Sequence, residues 1–297
     1  MTAKPHEVLI ELQPLVGRAL DRHLTAATEW FPHEMVPYEL GRSFEAEPWR
    51  PSDSRLDEVA KTALELNLLT EDNLPYYHLA IFQMFGADGP WGEWIRRWTA
   101  EEGRHSIAIR DYLTVTRAVD PVALERARID HVSRGWYPHQ IPHPFDGLVY
   151  VTLQELATRI AHRNTGSIIG DPAAERLMAR IAVDENLHHV FYRDVAAGAI
   201  AVDPSAMVLA MHRQITGFTM PGFELPGFRE KAIKIANAGI YDLRIHLDQV
   251  LTPVLRHWKL AELDGLSAEA ERAQEEILDF CERLDAAADR YRAKRAS

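Results

Sequence analysis

Two long segments of the chain each carry an apolar stripe that is interrupted by one glutamate and one histidine. The first stripe contains, at steps of three and four residues, Ile95, Trp98, Glu102, His105, Ile109 and Tyr112. The second contains, at the same steps, Met178, Ile181, Glu185, His188, Tyr192 and Val195. This spacing places side chains on one face of an α-helix, so both Glu-x-x-His motifs are predicted to point into a helical core. A carboxylate there needs a partner, and a cation is the strongest one available.

Two further glutamates repeat this arrangement along the chain. Glu71 precedes Glu102 by 31 residues, and Glu155 precedes Glu185 by 30. Glu155 shares an inward stripe with Leu148, Val151, Thr158 and His162. Four Glu and two His on four helices are the ligand set of ferritin-like dinuclear carboxylate bundles, and they suit iron or manganese. Taken singly, each Glu-x-x-His pair is also compatible with a solvated helix pair or with a core histidine held by a carboxylate.

The rest of the chain also has helical periodicity, and alternating strand-like runs are scarce. We predict an all-α fold, a ferritin-like four-helix bundle core with additional surrounding helices, in one domain over 1–297 with a charged tail from about 286. Capping signals at Asp171-Pro172 and Asp203-Pro204 support two of the helix starts. The predicted helices cover residues 7–30, 55–69, 71–85, 91–118, 121–134, 146–169, 172–200, 204–215, 226–238, 239–262 and 267–291.

Composition excludes several other classes of protein. One cysteine among 297 residues rules out a disulfide scaffold and a Cys-rich metal site. The chain has no glycine-rich nucleotide loop, and its net charge of −11 argues against general nucleic-acid binding. No signal peptide and no membrane span are expected, so we predict a cytoplasmic protein.

The sequence segments around the candidate ligands resemble those of the soluble acyl-carrier-protein desaturases, in particular the actinobacterial type. The similarity extends from about residue 5 to 285, nearly the whole chain. A segment near the C-terminus is especially specific because it contains none of the candidate ligands. The similar segments are Trp49–Asp53, Thr70–Pro75, Trp98–His105, Gln154–Thr158, Asp184–His188 and Trp258–Gln274.

This resemblance implies a homodimer with two iron ions in each chain. Matched residue by residue, the metal ligands would be Glu71, Glu102, His105, Glu155, Glu185 and His188, with Glu102 and Glu185 bridging. Thr158 matches a threonine associated with oxygen activation. Asp184 and Trp49 match positions linked to electron entry, and Trp98 is expected close by. Both tryptophans are equally compatible with core packing. We expect His78, His162, His189 and His246 to be structural or surface residues.

The implied activity is insertion of a cis double bond into a saturated fatty acyl chain on acyl carrier protein, with O2 as co-substrate and ferredoxin as electron donor. Two alternatives stay open: a di-iron hydroxylase or tailoring oxygenase acting on a carrier-bound chain, and a catalytically lapsed metal- or acyl-binding homologue. The basic run that precedes Ser-Met-Pro in plant members is replaced by Ile215-Thr216-Gly217 before Thr219-Met-Pro221. Carrier docking is therefore assigned to other cations, either Arg96 and Arg97 or Arg229, Lys231 and Lys234.

Overall fold

A computed structural model describes residues 5–135 and 143–296, and within these ranges the chain forms helices and no β-strands. The predicted all-α fold is confirmed. The α-helices, in chain order, are α1 (Pro5–Ala26), α2 (Pro32–Met35), α3 (Glu58–Glu71), α4 (Leu74–Phe85), α5 (Gly89–Val115), α6 (Pro121–Arg134), α7 (Pro144–Ile169), α8 (Pro172–Val202), α9 (Pro204–Thr216), α10 (Phe228–Asn237), α11 (Leu243–Ile245), α12 (Thr252–His257) and α13 (Ala268–Ala296).

Helices α3, α5, α7 and α8 form the central four-helix bundle, and α7 and α8 make its most extensive contact. Helix α1 packs against α5 and α8, α4 against α5 and α7, and α9 between α7, α8 and α13. The apolar core is divided along the bundle. One part contains Ile95 and Tyr192, and the other contains Ile109 and Ile181. Since the Glu-x-x-His motifs lie between these residues on α5 and α8, the motifs occupy the level between two apolar regions.

Local sequence signals explain several helix boundaries. Asp171 accepts a hydrogen bond from the backbone N–H of Ala173 at 2.7 Å, and Asp203 accepts one from Ala206 at 2.9 Å. Each caps a helix that begins with proline, as the sequence predicted. Pro75 lies in the first turn of α4, after a short break at residues 72–73, so Glu71 ends one helix beside the start of another.

Two predicted helices are wrong in extent. The first predicted helix, 7–30, ends at Ala26, so Trp30 lies beyond it in an extended segment and is buried. The predicted helix 239–262 is several short pieces. Asp242 is extended and caps Ile245, a π-helical turn spans His246–Leu251, and Lys259 has a positive φ of 53° that ends α12. Capping by Asp242 satisfies a backbone N–H that a continuous helix would use, which stops the helix from starting earlier.

Candidate metal centre

The four glutamates and two histidines singled out in the sequence converge in the middle of the bundle. Their ligand atoms form two groups, and within each group all of these atoms lie within 4.8 Å of one another. One group is Glu71, Glu102, His105 and Glu185; the other is Glu102, Glu155, Glu185 and His188. Glu102 and Glu185 belong to both groups. This geometry suits two cations that share two carboxylates.

The distances and the unpaired atoms in the cluster fit a metal better than a hydrogen-bond network. His105 Nδ1 lies 3.4 Å from both Glu102 Oε2 and Glu185 Oε1, and His188 Nδ1 lies 3.7 Å from Glu155 Oε2. Atoms that bind one ion at about 2.1 Å stand roughly 3–4 Å apart. Among the described residues, Nδ1 of both histidines, Glu102 Oε1 and Glu155 Oε2 are buried and lack a hydrogen bond of acceptable geometry, although His188 Nδ1 and Glu102 Oε1 stand only 2.8 Å apart. Such orphaned atoms are expected of a metal site.

The pKa shifts of the clustered residues also favour a bound metal. Burial, together with the negative charge of Glu185, raises the pKa of Glu155 well above its ordinary value. Burial lowers the pKa of His105 and His188, but the neighbouring carboxylates outweigh it and raise both well above their ordinary value. Protons therefore balance part of the negative charge when no metal is bound. A metal would replace them, because a ligating imidazole nitrogen must be unprotonated.

The outer nitrogen of His105 is oriented by a carboxylate from the other motif. His105 Nε2 lies 3.4 Å from Asp184 Oδ2, and the indole N–H of Trp30 donates to the same oxygen at 2.8 Å. Arg104 donates to this oxygen at 3.2 Å, and Arg180 binds the other oxygen. Asp184 thus lies beside a ligand, where the resemblance placed it, and the tryptophan that it contacts is Trp30.

The outer nitrogen of His188 meets a corresponding carboxylate, Glu101. His188 Nε2 lies 2.9 Å from Glu101 Oε2, and His23 Nε2 lies 2.9 Å from the same oxygen. Arg97 Nε donates to Glu101 Oε1 at 2.5 Å. These nitrogen–oxygen distances are hydrogen-bond lengths. Burial opposes ionisation of Glu101, but the hydrogen bonds from His188 and His23 hold its pKa far below the ordinary value.

Two other predicted residues touch the cluster directly. The Thr158 hydroxyl lies 3.1 Å from Glu185 Oε2, within reach of a shared carboxylate. The indole N–H of Trp98 donates to Glu155 Oε1 at 3.1 Å. Both side chains are buried.

Trp49, which the resemblance matched to a position linked to electron entry, does not reach the cluster. Its indole N–H donates to the carbonyl of Arg117 at 3.1 Å, beyond the C-terminal end of α5. Helix α5 rises about 15 Å between His105 and Val115. The segment that follows α1 has no helical periodicity that would fix the register of this match.

His162, expected to be a structural or surface residue, lies next to the cluster. Its Nε2 lies 3.0 Å from Glu71 Oε1 and 3.6 Å from Glu185 Oε1, so it adjoins two candidate ligands. Its position on the stripe of Glu155 and Thr158 was the available signal. Nothing in the sequence pattern identified Glu101 or His23. Glu101 immediately precedes a candidate ligand, as Asp184 does, and this shared position is the only hint.

Apolar cavities adjoin the cluster on two sides. One, of about 90 Å³, is lined by Glu71, Thr158 and His162 and by apolar side chains of α10. A smaller one is lined by Trp98 and by residues of α4 and α7, among them Ile81, Met84 and Val151. Pro221 lines both. Glu71 and Thr158 thus face one apolar cavity, and Trp98 faces a second one.

Comparison with known proteins decides the family. The sequence profile described as fatty acid desaturase matches residues 4–297. The chain belongs to the fatty acid desaturase family. It is 46% identical over 295 residues to DesA1 of Mycobacterium tuberculosis, named as an acyl-acyl-carrier-protein desaturase, covering 96% of this chain and 87% of the relative. It is 30% identical over 238 residues to stearoyl-acyl-carrier-protein 9-desaturase 6 of Arabidopsis thaliana, covering 73% and 60%.

A solved desaturase structure has the same fold. The X-ray structure of DesA2 from M. tuberculosis, named as an acyl-ACP desaturase, matches with a TM-score of 0.73 at 28% identity and covers 91% of this chain and 99% of its own. The ferritin-like bundle is thereby confirmed for this desaturase. Among its described residues, no helix is both long and apolar enough to cross a bilayer.

Two residues next to ligands of this desaturase, Gly103 and His189, are accommodated by their local surroundings. At Gly103, a Cβ atom would meet Leu74 Cδ2 at 3.9 Å, an ordinary contact, so packing does not demand a glycine there. His189 is buried, and its Nδ1 lies 2.9 Å from the carbonyl of Thr152. This histidine binds the backbone of α7 and touches none of the six clustered residues through that contact, which agrees with the structural role expected for it.

Proposed function

We propose that the protein is an acyl-acyl-carrier-protein desaturase that uses O2 and electrons from a ferredoxin-type donor. The observation that carries the proposal is the pair of ligand groups sharing Glu102 and Glu185, buried in a chain of the desaturase family. In the overall reaction, a –CH2–CH2– unit, O2, two electrons and two protons give a cis –CH=CH– unit and two waters.

Two irons per chain would be held by the six clustered residues, with Glu102 and Glu185 between them. When bound, such a pair supplies the reduction of O2 coupled to removal of two hydrogen atoms from the acyl chain. The residues of the chain hold the metals, orient the substrate and exclude water. The oxygen-rich donor set with two imidazoles and no thiolate suits iron or manganese.

Thr158 and Trp98 are placed to control the carboxylates. The Thr158 hydroxyl lies 3.1 Å from Glu185 Oε2 and from the carbonyls of Gln154 and Glu155, and it can turn its one hydrogen to Glu185 and orient that carboxylate. The Trp98 indole holds Glu155 in orientation through its N–H. Both act within a buried site from which apolar neighbours exclude water, which strengthens each of these polar contacts.

The two apolar cavities support a fatty acyl substrate. A saturated chain that passes Pro221 from one cavity to the other would lie beside Thr158 on one side and Trp98 on the other. Apolar walls bind methylene groups by excluding water, at about 0.8 kcal/mol per CH2 group. The walls thereby position one carbon pair at the cluster.

Helix α10 supports carrier docking over the larger cavity. Its inner residues Phe228, Ala232 and Ile235 line that cavity. Lys231 and Lys234, on the same helix, carry charges suited to an acidic carrier. In the alternative pair, Arg97 is neutralised by Glu101 and Arg96 donates to the carbonyl of Ala87 at 3.0 Å, whereas Lys234 donates to the uncharged Thr62 hydroxyl at 3.1 Å.

Helix α4 supports the proposed homodimer. It contains no Asp, Glu, Lys or Arg, yet only Ile81 and Phe85 are buried, and Phe82 is 41% exposed. An uncharged helix that is mostly half-buried and exposes Phe82 is a favourable surface for a second copy of the chain. A cytoplasmic location stays a prediction.

Electron entry is proposed along Trp30, Asp184 and His105, which are joined by contacts of 2.8 and 3.4 Å. Arg104 and Arg180 lie over the Trp30 ring, with guanidinium carbons 5.1 and 5.9 Å from its centroid. Their positive charge would favour an acidic electron donor at this face.

Metal analysis tests the centre on which the function depends. After anaerobic loading with ferrous iron and removal of the excess, we expect two irons per chain. One zinc or no metal in correctly folded, loaded protein would overturn the dinuclear centre and the desaturase function with it.

A further inference from the structure

We infer that His23 on α1 is a positioning residue for one half of the metal centre, acting through Glu101 on His188. The inference rests on the proposed metal centre. It concerns a side chain outside the four central helices that touches no candidate ligand through a hydrogen bond of its own.

The contact geometry carries the inference. His23 and His188 both place Nε2 at 2.9 Å from a single oxygen, Glu101 Oε2. Their rings stack with centroids 5.8 Å apart and planes 23° from parallel, so the two N–H groups approach that oxygen side by side. A carboxylate oxygen has two lone pairs, and these two imidazoles use both.

His23 also restricts where the Glu101 carboxylate can turn. The other carboxylate oxygen of Glu101, Oε1, lies 2.5 Å from Arg97 Nε and 4.0 Å from Arg104 Nη2. The Arg97 side chain is 40% exposed, whereas His23 is buried. Without His23, Glu101 would be free to turn towards the two arginines. His188 would then lose the acceptor that keeps its proton on Nε2 and leaves Nδ1 free for a metal.

The surroundings of His23 fit a fixed role. The ring is 4% exposed and meets the edge of Trp94 at 4.9 Å between centroids. The corresponding position at the other half of the centre is taken by Trp30, which donates to Asp184 beside His105. In both halves, a buried donor thus binds the carboxylate behind a candidate histidine ligand. The donor is His23 in one half and Trp30 in the other.

Two substitutions at His23 separate positioning from packing. His23→Leu fills the space without a donor, and His23→Gln keeps a donor N–H. His189→Gln is the control, because His189 is equally buried, on the same helix as His188, and binds only the Thr152 carbonyl. The measurements are iron affinity by chelator competition and the visible spectrum of the cobalt(II)-loaded protein.

For His23→Leu we expect about 10- to 100-fold weaker binding of one of the two metals and an altered cobalt spectrum. His23→Gln and the control should stay within about threefold of wild type. Equal affinity and an unchanged spectrum in His23→Leu would overturn the inference while leaving the metal centre intact; absence of two metals in wild type would overturn the centre itself. If His23→Leu does not fold, His23→Asn, which is too short to reach Oε2, makes the same comparison.

Discussion

Glu102 Oε1 of the first Glu-x-x-His motif lies 2.8 Å from His188 Nδ1 of the second. This contact joins α5 to α8 across the centre of the bundle, so each motif completes its ligand set with a residue of the other. The two halves of the site therefore depend on each other, and removing a shared residue differs from removing a terminal one.

Ligand substitutions should reveal this sharing. Glu102→Ala and Glu185→Ala remove a residue common to both ligand groups, so both metals should be lost. Glu71→Ala and Glu155→Ala each remove a residue from one group, and about one metal per chain should remain. Metal-to-protein ratios after gel filtration check this. Equal losses in all four variants would contradict the assignment of Glu102 and Glu185 as the shared pair.

Thr158 should affect turnover without affecting metal content. Thr158→Val keeps the shape and removes the hydroxyl that reaches Glu185 Oε2. We expect two irons per chain and a fall in kcat of about tenfold or more, since a hydrogen bond to a charged group contributes roughly 1.5–3 kcal/mol. Thr158→Ser keeps the hydroxyl and serves as the control. If Thr158→Val and Thr158→Ser have the same kcat, the hydroxyl has no part in the reaction.

Trp30, which the structure places beside Asp184, and Trp49, which the sequence matched to an electron-entry position, can be compared directly. Trp30→Phe removes the indole N–H that binds Asp184, and we expect reduction of the loaded protein by its donor to slow about tenfold. Trp49→Phe breaks only a contact to the Arg117 carbonyl and should leave that rate unchanged. Stopped-flow absorbance at equal iron content measures both rates. A slow Trp49 variant beside a normal Trp30 variant would reverse the assignment.

The folded protein should lose stability as the pH is lowered, because His189 is buried in its neutral form. Burial lowers its pKa to about 4 from an ordinary 6.5, so the unfolded chain binds a proton that the folded protein does not. Above about pH 6.5, His189 therefore does not change the free energy of unfolding. As the pH falls from there to about 4, it lowers that free energy by up to about 1.4 kcal/mol per pH unit. His189→Gln should show a flatter decline in melting temperature over this range than metal-free wild type. Parallel curves would show that His189 titrates normally.

Much of the centre was predictable because helices repeat. Glu102, His105, Glu185 and His188 lie on stripes whose spacing alone turns them inward, and Glu71 and Glu155 follow from the matching offsets. Trp30 and His23 were not predictable, since one lies outside any helix and the other lies on a helix outside the central four. The break in the predicted helix 239–262 was missed because capping by Asp242 and a π-helical turn leave the apolar spacing almost unchanged.

The mass of the acyl product tests the central claim most directly. Iron-loaded protein is given stearoyl- or palmitoyl-carrier protein, ferredoxin, its reductase and O2, and the released chain is measured by mass spectrometry, with the Glu102→Ala variant as control. We predict a product lighter than the substrate by two hydrogen atoms, formed by wild type alone. A product heavier by one oxygen atom would indicate a hydroxylase, and no product across chain lengths from a fully loaded protein would contradict a desaturase altogether.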